Sequence, residues 1–212
     1  MKKILFVILV FFFVFVIYIS NVDKTVYYLA LGNSNRYLYN QKNYSFYIED
    51  YLRERKLLEK AVFDYSADDR ITSLIERIHR NEKGRNSTIK NALIKADLLT
   101  IKIEVPDLIE KLNDEYVVIN EVYDYIDDLS NDLESLFKLI RDYCKESVVF
   151  VGYSNCYHKE IFDYLNKRFK RVCDKYDIIF IDINNITISE ECFLNSISYK
   201  ELGSLVLKEL NF

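Results

Sequence analysis

From residue 25 onward, short β-rich runs alternate with longer segments of helical period, and an unbroken apolar run stands ahead of them at the amino terminus. These two observations predict an α/β fold: a three-layer α/β/α domain on a five-stranded parallel sheet, preceded by an N-terminal transmembrane helix. Composition points to the same class. Of the 212 residues 50% are hydrophobic and 29% charged, which provides for a buried core and excludes a disordered chain; 4 Gly and 1 Pro exclude collagen-like or low-complexity character. The length suits one globular unit with an appendage, residues 1–20 as the membrane segment and 21–212 as the domain.

The first element is Ile4 to Ile19, ILFVILVFFFVFVIYI, about 24 Å long as a helix. It is too hydrophobic and too terminal for a core helix. A cleaved secretory signal needs small residues before its cleavage point, and the exit Tyr18-Ile19-Ser20-Asn21-Val22-Asp23 fits that poorly. The segment therefore reads as an uncleaved anchor, with a cleaved signal segment as the alternative. Lys2 and Lys3 should stay cytoplasmic, so the domain faces outward.

The strands expected behind the anchor are Thr25 to Leu31 (TVYYLAL), Lys60 to Tyr65 (KAVFDY), Leu98 to Ile103 (LLTIKI), Ser147 to Tyr153 (SVVFVGY) and Asp177 to Asp182 (DIIFID). They combine β-branched and aromatic residues with apolar continuity, as strands buried on both faces require. Helices are expected at Ser45 to Leu58, Arg70 to Asn81, Ser87 to Ala96, about Asp114 to Lys145, Lys159 to Tyr176 and Tyr199 to Leu210. In the long fourth helix Val117, Ile119, Val122, Ile126, Leu129, Leu133, Leu136 and Ile140 follow a mixed helical spacing that predicts core packing over a partner-binding coiled coil, and the insertion is also able to cap the sheet edge as a lid.

Charge and cysteine content narrow the function. Lys plus Arg total 29 against 33 for Asp plus Glu, a net charge of −4, and no basic tract occurs; this excludes broad phosphate-driven nucleic-acid binding. Without residues 1–20 the balance is 27 basic to 33 acidic residues, or −6. Cys144, Cys156, Cys173 and Cys192 form no CxxC pair and no zinc spacing; their even number permits disulfides, but the spacing favours buried or free thiols. His79 and His158 stand far apart in sequence, so a histidine metal site is not expected, nor is any cofactor.

Functional groups of an open parallel sheet gather at the carboxyl ends of its strands. The loop after the first strand reads Gly32-Asn33-Ser34-Asn35, where Gly32 suits a tight exit and Ser34 is expected to be exposed on the sheet edge. Four blocks lie at such strand ends: YYLALGNSN, DYSADDRITSLIERI, LLTIKIEVPDL and FLNSISYKELGSLVL. In order and spacing, over about Val26 to Leu210, they resemble the SGNH, or GDSL, family of serine esterases and lipases, in particular its small membrane-anchored forms from low-GC bacteria.

The resemblance places Ser34 at the nucleophile position and Asn33 at that of the Asp before it. Asp69 takes the place of the glycine whose N–H faces the oxyanion. In the third block Glu104, Val105, Pro106 and Asp107 replace Gly-x-Asn-Asp, so the oxyanion-donating Asn has become Pro106. In the last, Asn195 replaces the triad Asp and Ser198 the His, while Gly203 is kept. A serine hydroxyl needs an adjacent base, which Ser198 and neutral Asn195 do not supply. One lost oxyanion donor typically costs ~3 to 4 kcal/mol of transition-state stabilisation. A carboxylate about 4 Å from a developing oxyanion repels it by roughly 4 kcal/mol at an effective dielectric of 20.

The resemblance thus implies a fold kept without its reaction: a pseudo-enzyme that binds an envelope lipid, glycan or protein in the old cleft. The cleft positions are Asn33, Asp69, Glu104, Asp107, Asn195 and Ser198 around Ser34. Two other readings stand beside it. One is an active ester hydrolase using Ser34 with a non-standard base, for which His158 and Lys102 are the candidates. The other is a structural or assembly role in the envelope. Asp68, Asp69, Glu104 and Asp107 together are either solvated loop charges or a site for a hard cation or basic ligand.

Overall fold

Val26–Gly32 (VYYLALG) is buried at every position, because its two faces lie in two different cores. Tyr27, Leu29 and Leu31 point into one and Val26, Tyr28 and Ala30 into the other, the period-two alternation of a strand packed on both sides. The structure, a computed structural model, describes residues 25–34, 37–38, 41–67, 70–156, 158–186 and 194–212. The expected anchor, Asp68, Asp69 and Cys192 lie outside the described residues.

In chain order the elements are β1 (Val26–Gly32), β2 (Tyr37–Leu38), β3 (Gln41–Lys42), α1 (Tyr44–Glu54), β4 (Leu58–Val62), α2 (Ile71–His79), α3 (Ile89–Lys95), β5 (Leu98–Lys102), α4 (Pro106–Leu112), α5 (Ile119–Tyr143), β6 (Ser147–Val151), α6 (Lys159–Lys175), β7 (Ile179–Ile181) and α7 (Ser196–Glu209). The five expected strands form one sheet in the order β4-β1-β5-β6-β7, parallel throughout. Buried residues of α1 and α7 share a core with one face; those of α2 to α6 share the other. This is the expected three-layer arrangement. Among the described residues no helix is long and apolar enough to cross a membrane.

β2 and β3, a short antiparallel pair, are additional to the expected strands, and three elements near the site differ from expectation. β4 runs from Leu58 to Val62, pairing Leu58 with Val26 and Val62 with Leu29, so it starts and ends earlier than the KAVFDY run. Tyr65 is fully buried like a strand residue, but it sits beyond the strand, its hydroxyl donating to the Ser87 carbonyl at 2.6 Å. The second difference is α4, a short helix with Pro106 in its first turn, where proline's missing N–H and fixed φ cost nothing. The third is α7, which begins at Ser196, ahead of the expected Tyr199.

The long α5 buries Val122, Ile126, Leu133, Phe137 and Ile140, so its main stretch packs the core as expected; Ile119, expected to be inside, is 50% exposed. Asp127 and Glu134 on α5 pair with Arg168 and Lys175 of α6 at 2.8 and 2.6 Å. Cys144 and Cys173 are buried free thiols, as the spacing suggested. Cys156 is not: it is disulfide-bonded.

Candidate functional site

The carboxyl end of β1 is shaped by Gly32. Its φ of +67° lies in the left-handed region, and a Cβ there would stand 2.2 Å from the Lys102 carbonyl oxygen, so only glycine fits. Beyond it the Asn33 N–H donates to that same carbonyl at 2.6 Å, and the Ser34 N–H turns back to the Gly32 carbonyl at 2.7 Å. The turn aims Ser34 into the domain.

Ser34 is 0% exposed, against the expectation of an open position. Tyr44, the first residue of α1, meets it there, its hydroxyl 2.5 Å from Ser34 Oγ. Among the described residues Tyr44 is the side-chain partner of that oxygen. The Tyr44 hydroxyl also donates to Thr100 Oγ1 at 3.4 Å, and the Tyr28 hydroxyl lies 2.9 Å from Thr100 Oγ1. Four hydroxyls from β1, α1 and β5 thus form one buried chain. Burial pushes Tyr44 up to about 12 and outweighs the lowering effect of its hydrogen bonds to Ser34 and Thr100; Tyr28 is raised well above its ordinary value, chiefly by burial. At neutral pH every member keeps its proton, and none is a base for Ser34.

Asn33 and Glu104, two of the predicted cleft residues, meet directly. Asn33 Nδ2 donates to Glu104 Oε1 at 2.9 Å, and Lys102 forms an ion pair with the same carboxylate. Burial raises the Glu104 carboxyl, but the Lys102 charge and the hydrogen bonds from Lys102 and Asn33 outweigh it and hold Glu104 below the usual glutamate range. The two substitutions fit each other: an aspartate at 33 would set one carboxylate against another. Lys102 is itself nearly buried and engaged with Glu104, not with Ser34.

Asn195 and Ser198, at the positions of the triad Asp and His, bond to each other. Asn195 Oδ1 accepts from the N–H groups of Ile197 and Ser198 at 2.9 and 3.1 Å, and the Asn195 N–H donates to Ser198 Oγ at 3.2 Å. This is a capping box, which satisfies otherwise unpaired donors at a helix start. Gly203 lets α7 press against α1: a Cβ there would meet Tyr47 Cβ at 2.9 Å and the Tyr44 carbonyl at 3.0 Å. Its retention thus serves the contact that seats Tyr44.

The other candidates are placed elsewhere. Asp107 pairs with Arg70 at 2.7 Å and accepts from the Tyr125 hydroxyl at 3.5 Å. His158 stands just before α6, its carbonyl accepting from the Phe162 N–H at 3.0 Å. Asp69 lies outside the described residues. Among the described residues no group of three His, Cys, Asp or Glu is arranged to hold a metal ion; Glu104 and Asp107 each answer a cation of the chain's own. Sequence reasoning did not find Tyr44 or Thr100. Tyr44 is one of 18 tyrosines, and nothing local marks it as the partner of Ser34.

No family model and no curated protein matches the sequence. Solved structures do match. An acetylxylan esterase from Geobacillus stearothermophilus, in a catalytic mutant form, is similar with a TM-score of 0.67 at 14% identity, over 91% of this chain and 97% of that one. The lipase Lip_vut3 from a goat rumen metagenome gives 0.65 at 15% identity, over 85% and 95%. AlinE4, an SGNH-hydrolase family esterase, gives 0.51 at 12% identity, over 89% and 95%. With the parallel sheet, the Gly32 turn at the end of β1 and near-complete coverage of each neighbour, the chain has the SGNH-hydrolase fold.

Proposed function

We propose that this protein is a non-catalytic SGNH-fold protein of the cell envelope, anchored by residues 4–19 with its domain on the outer face of the membrane, and that it binds an envelope lipid, glycan or protein instead of cleaving an ester. One observation carries this: Ser34 is fully buried and its oxygen is paired with a tyrosine hydroxyl whose proton is held to about 12. A nucleophile needs both a base and an approach path, and among the described residues the side-chain partner of this hydroxyl is a protonated tyrosine. The replaced positions support the same reading, since Asn33 with Glu104 and Asn195 with Ser198 are each bonded as structural pairs. The disulfide at Cys156 supports a domain outside the reducing cytosol.

A working ester hydrolase is favoured by one fact, a serine at the end of β1 in a fold shared with an esterase and a lipase. A single experiment separates the two. The full chain and its Ser34→Ala variant are treated with a fluorescent fluorophosphonate and assayed on short p-nitrophenyl esters. Neither labelling nor turnover should exceed the variant's level. Labelling and turnover that disappear in Ser34→Ala would establish the hydrolase instead.

A further inference from the structure

The described residues expose seven large apolar side chains, and four of them, Ile109, Tyr116, Val118 and Ile119, fall between α4 and the start of α5 at 43, 87, 52 and 50% exposure. The corner they occupy lies toward the carboxyl edge of the sheet. α5 has 25 residues, about 37 Å of helix, whereas β6, to which it leads, has five, about 17 Å. The helix ends close to the amino end of β6, where Arg141 bonds the Glu146 carbonyl at 2.8 Å. Its excess length therefore lies at the other end, past the carboxyl edge of the sheet. The corner is also held in place: Leu112, Val117 and Tyr123 pack against the core, and the Val117 N–H donates to the Asp114 carbonyl at 3.2 Å.

Charge around the four apolar side chains has one sign. Between residues 107 and 124 there are six carboxylates and a single base, Lys111, which lies over the Tyr125 ring at 5.3 Å. Asp107 is tied to Arg70. Glu110, Asp114, Glu115, Glu121 and Asp124 are exposed and form no ion pair among the described residues.

From these features we infer that the α4–α5 corner docks a cationic amphipathic segment of another protein, whose apolar side chains cover Ile109, Tyr116, Val118 and Ile119 and whose Lys or Arg residues meet the five carboxylates. Charge complementarity selects this occupant. An anionic bilayer would be repelled by the same carboxylates. A second copy packed two-fold would set them against their own counterparts. An apolar patch carried on packed backbone loses little conformational entropy on binding. The inference rests on the protein's being a binding protein, but it concerns a surface apart from Ser34 and holds whether or not Ser34 turns over esters.

The probe is a helical peptide of leucine and lysine only, roughly five turns long, carrying a benzophenone photo-crosslinker. It is irradiated with the full chain in zwitterionic nanodiscs, and the crosslinked residues are mapped by mass spectrometry. Crosslinks should fall within residues 106–124 and decline about tenfold when salt rises from about 50 to about 300 mM, which shortens electrostatic reach. They should be lost in Tyr116→Ser/Val118→Ser/Ile119→Ser and weakened in Glu115→Gln/Glu121→Gln, both with unchanged circular dichroism and melting temperature. Crosslinks that are scattered, or that persist in both variants, overturn the proposal. So does attachment to phosphatidylglycerol vesicles, or self-association by light scattering, that the triple variant abolishes while crosslinking persists. Ester turnover has no bearing on any of these readouts, so failure here is separable from failure of the non-catalytic reading.

Discussion

The neighbourhood of Ser34 and the α4–α5 corner lie toward the same edge of one sheet, and they treat polarity in opposite ways. Around Ser34 polar groups are buried and answered: Ser34 by Tyr44, Asn33 by Glu104, Glu104 by Lys102. At the corner, apolar side chains and carboxylates alike face solvent. A buried, satisfied network contributes stability and specifies one packing; it offers little to an incoming molecule. Exposed apolar side chains among uncompensated charges stabilise the folded chain little and leave binding energy available for a partner. The proposed binding surface at this edge is therefore the corner, although the resemblance directs attention to the serine.

The largest effect expected from disturbing this contrast is at Asn33. Asn33→Asp removes a hydrogen bond to a charged group, worth roughly 1.5–3 kcal/mol, and adds a second carboxylate beside Glu104. A loss of about 3 kcal/mol at pH 7 is expected in urea unfolding, and Glu104→Gln should restore much of it, giving a coupling energy above about 1 kcal/mol in a double-mutant cycle. The pH dependence follows from Glu104. Its folded pKa is depressed, so its contribution is complete above the unfolded value of about 4.3 and is lost as pH falls through the folded one. In Asn33→Asp one carboxyl of the pair takes up a proton as pH falls, which relieves the repulsion. The two stability curves should therefore converge in acid; parallel curves from pH 7 to pH 3 would show that the pair is not coupled.

How much of this was legible in the sequence depends on the range of the interactions. β1 was plain because each of its residues is apolar and locally sufficient to announce a strand buried on both faces. Gly32 and Gly203 were legible as retained positions, though the close approaches they permit, to Lys102 and to α1, became visible only in three dimensions. α4 has too few residues for a helical period, and its one local signal is Pro106. Along the sequence the residues at 33, 104, 195 and 198 stand as separate departures from the catalytic set that the resemblance implies. Their pairing depends on a contact across 71 residues in one case and on a helix beginning earlier than expected in the other. Burial of Ser34 was the least legible feature, because the tyrosine that meets its hydroxyl lies on the following helix.

A smaller effect should come from α7. Asn195→Ala removes the acceptor for two N–H groups at the helix start and should lower stability by about 1 kcal/mol, as cap substitutions do. Asn195→Asp should restore it, since aspartate caps as well as asparagine. A catalytic role would show differently: Asn195→Asp would then change reactivity toward the fluorophosphonate with little change in melting temperature. If Asn195→Ala leaves unfolding unchanged, the capping box is not what holds this position.

The smallest effect belongs to the corner and tests the contrast from its other side. Tyr116 is 87% exposed, so Tyr116→Ser removes almost no buried apolar area, and surface substitutions of this kind usually stay within about 0.5 kcal/mol. The aromatic ring should thus be dispensable for folding while it remains necessary for capturing the basic peptide. Were Tyr116→Ser to destabilise the chain by more than about 1 kcal/mol, well outside the surface range, the ring would have to pack against the chain itself in solution. The corner would then be part of the core's edge and no longer an open surface, and the opposition between the two regions would dissolve.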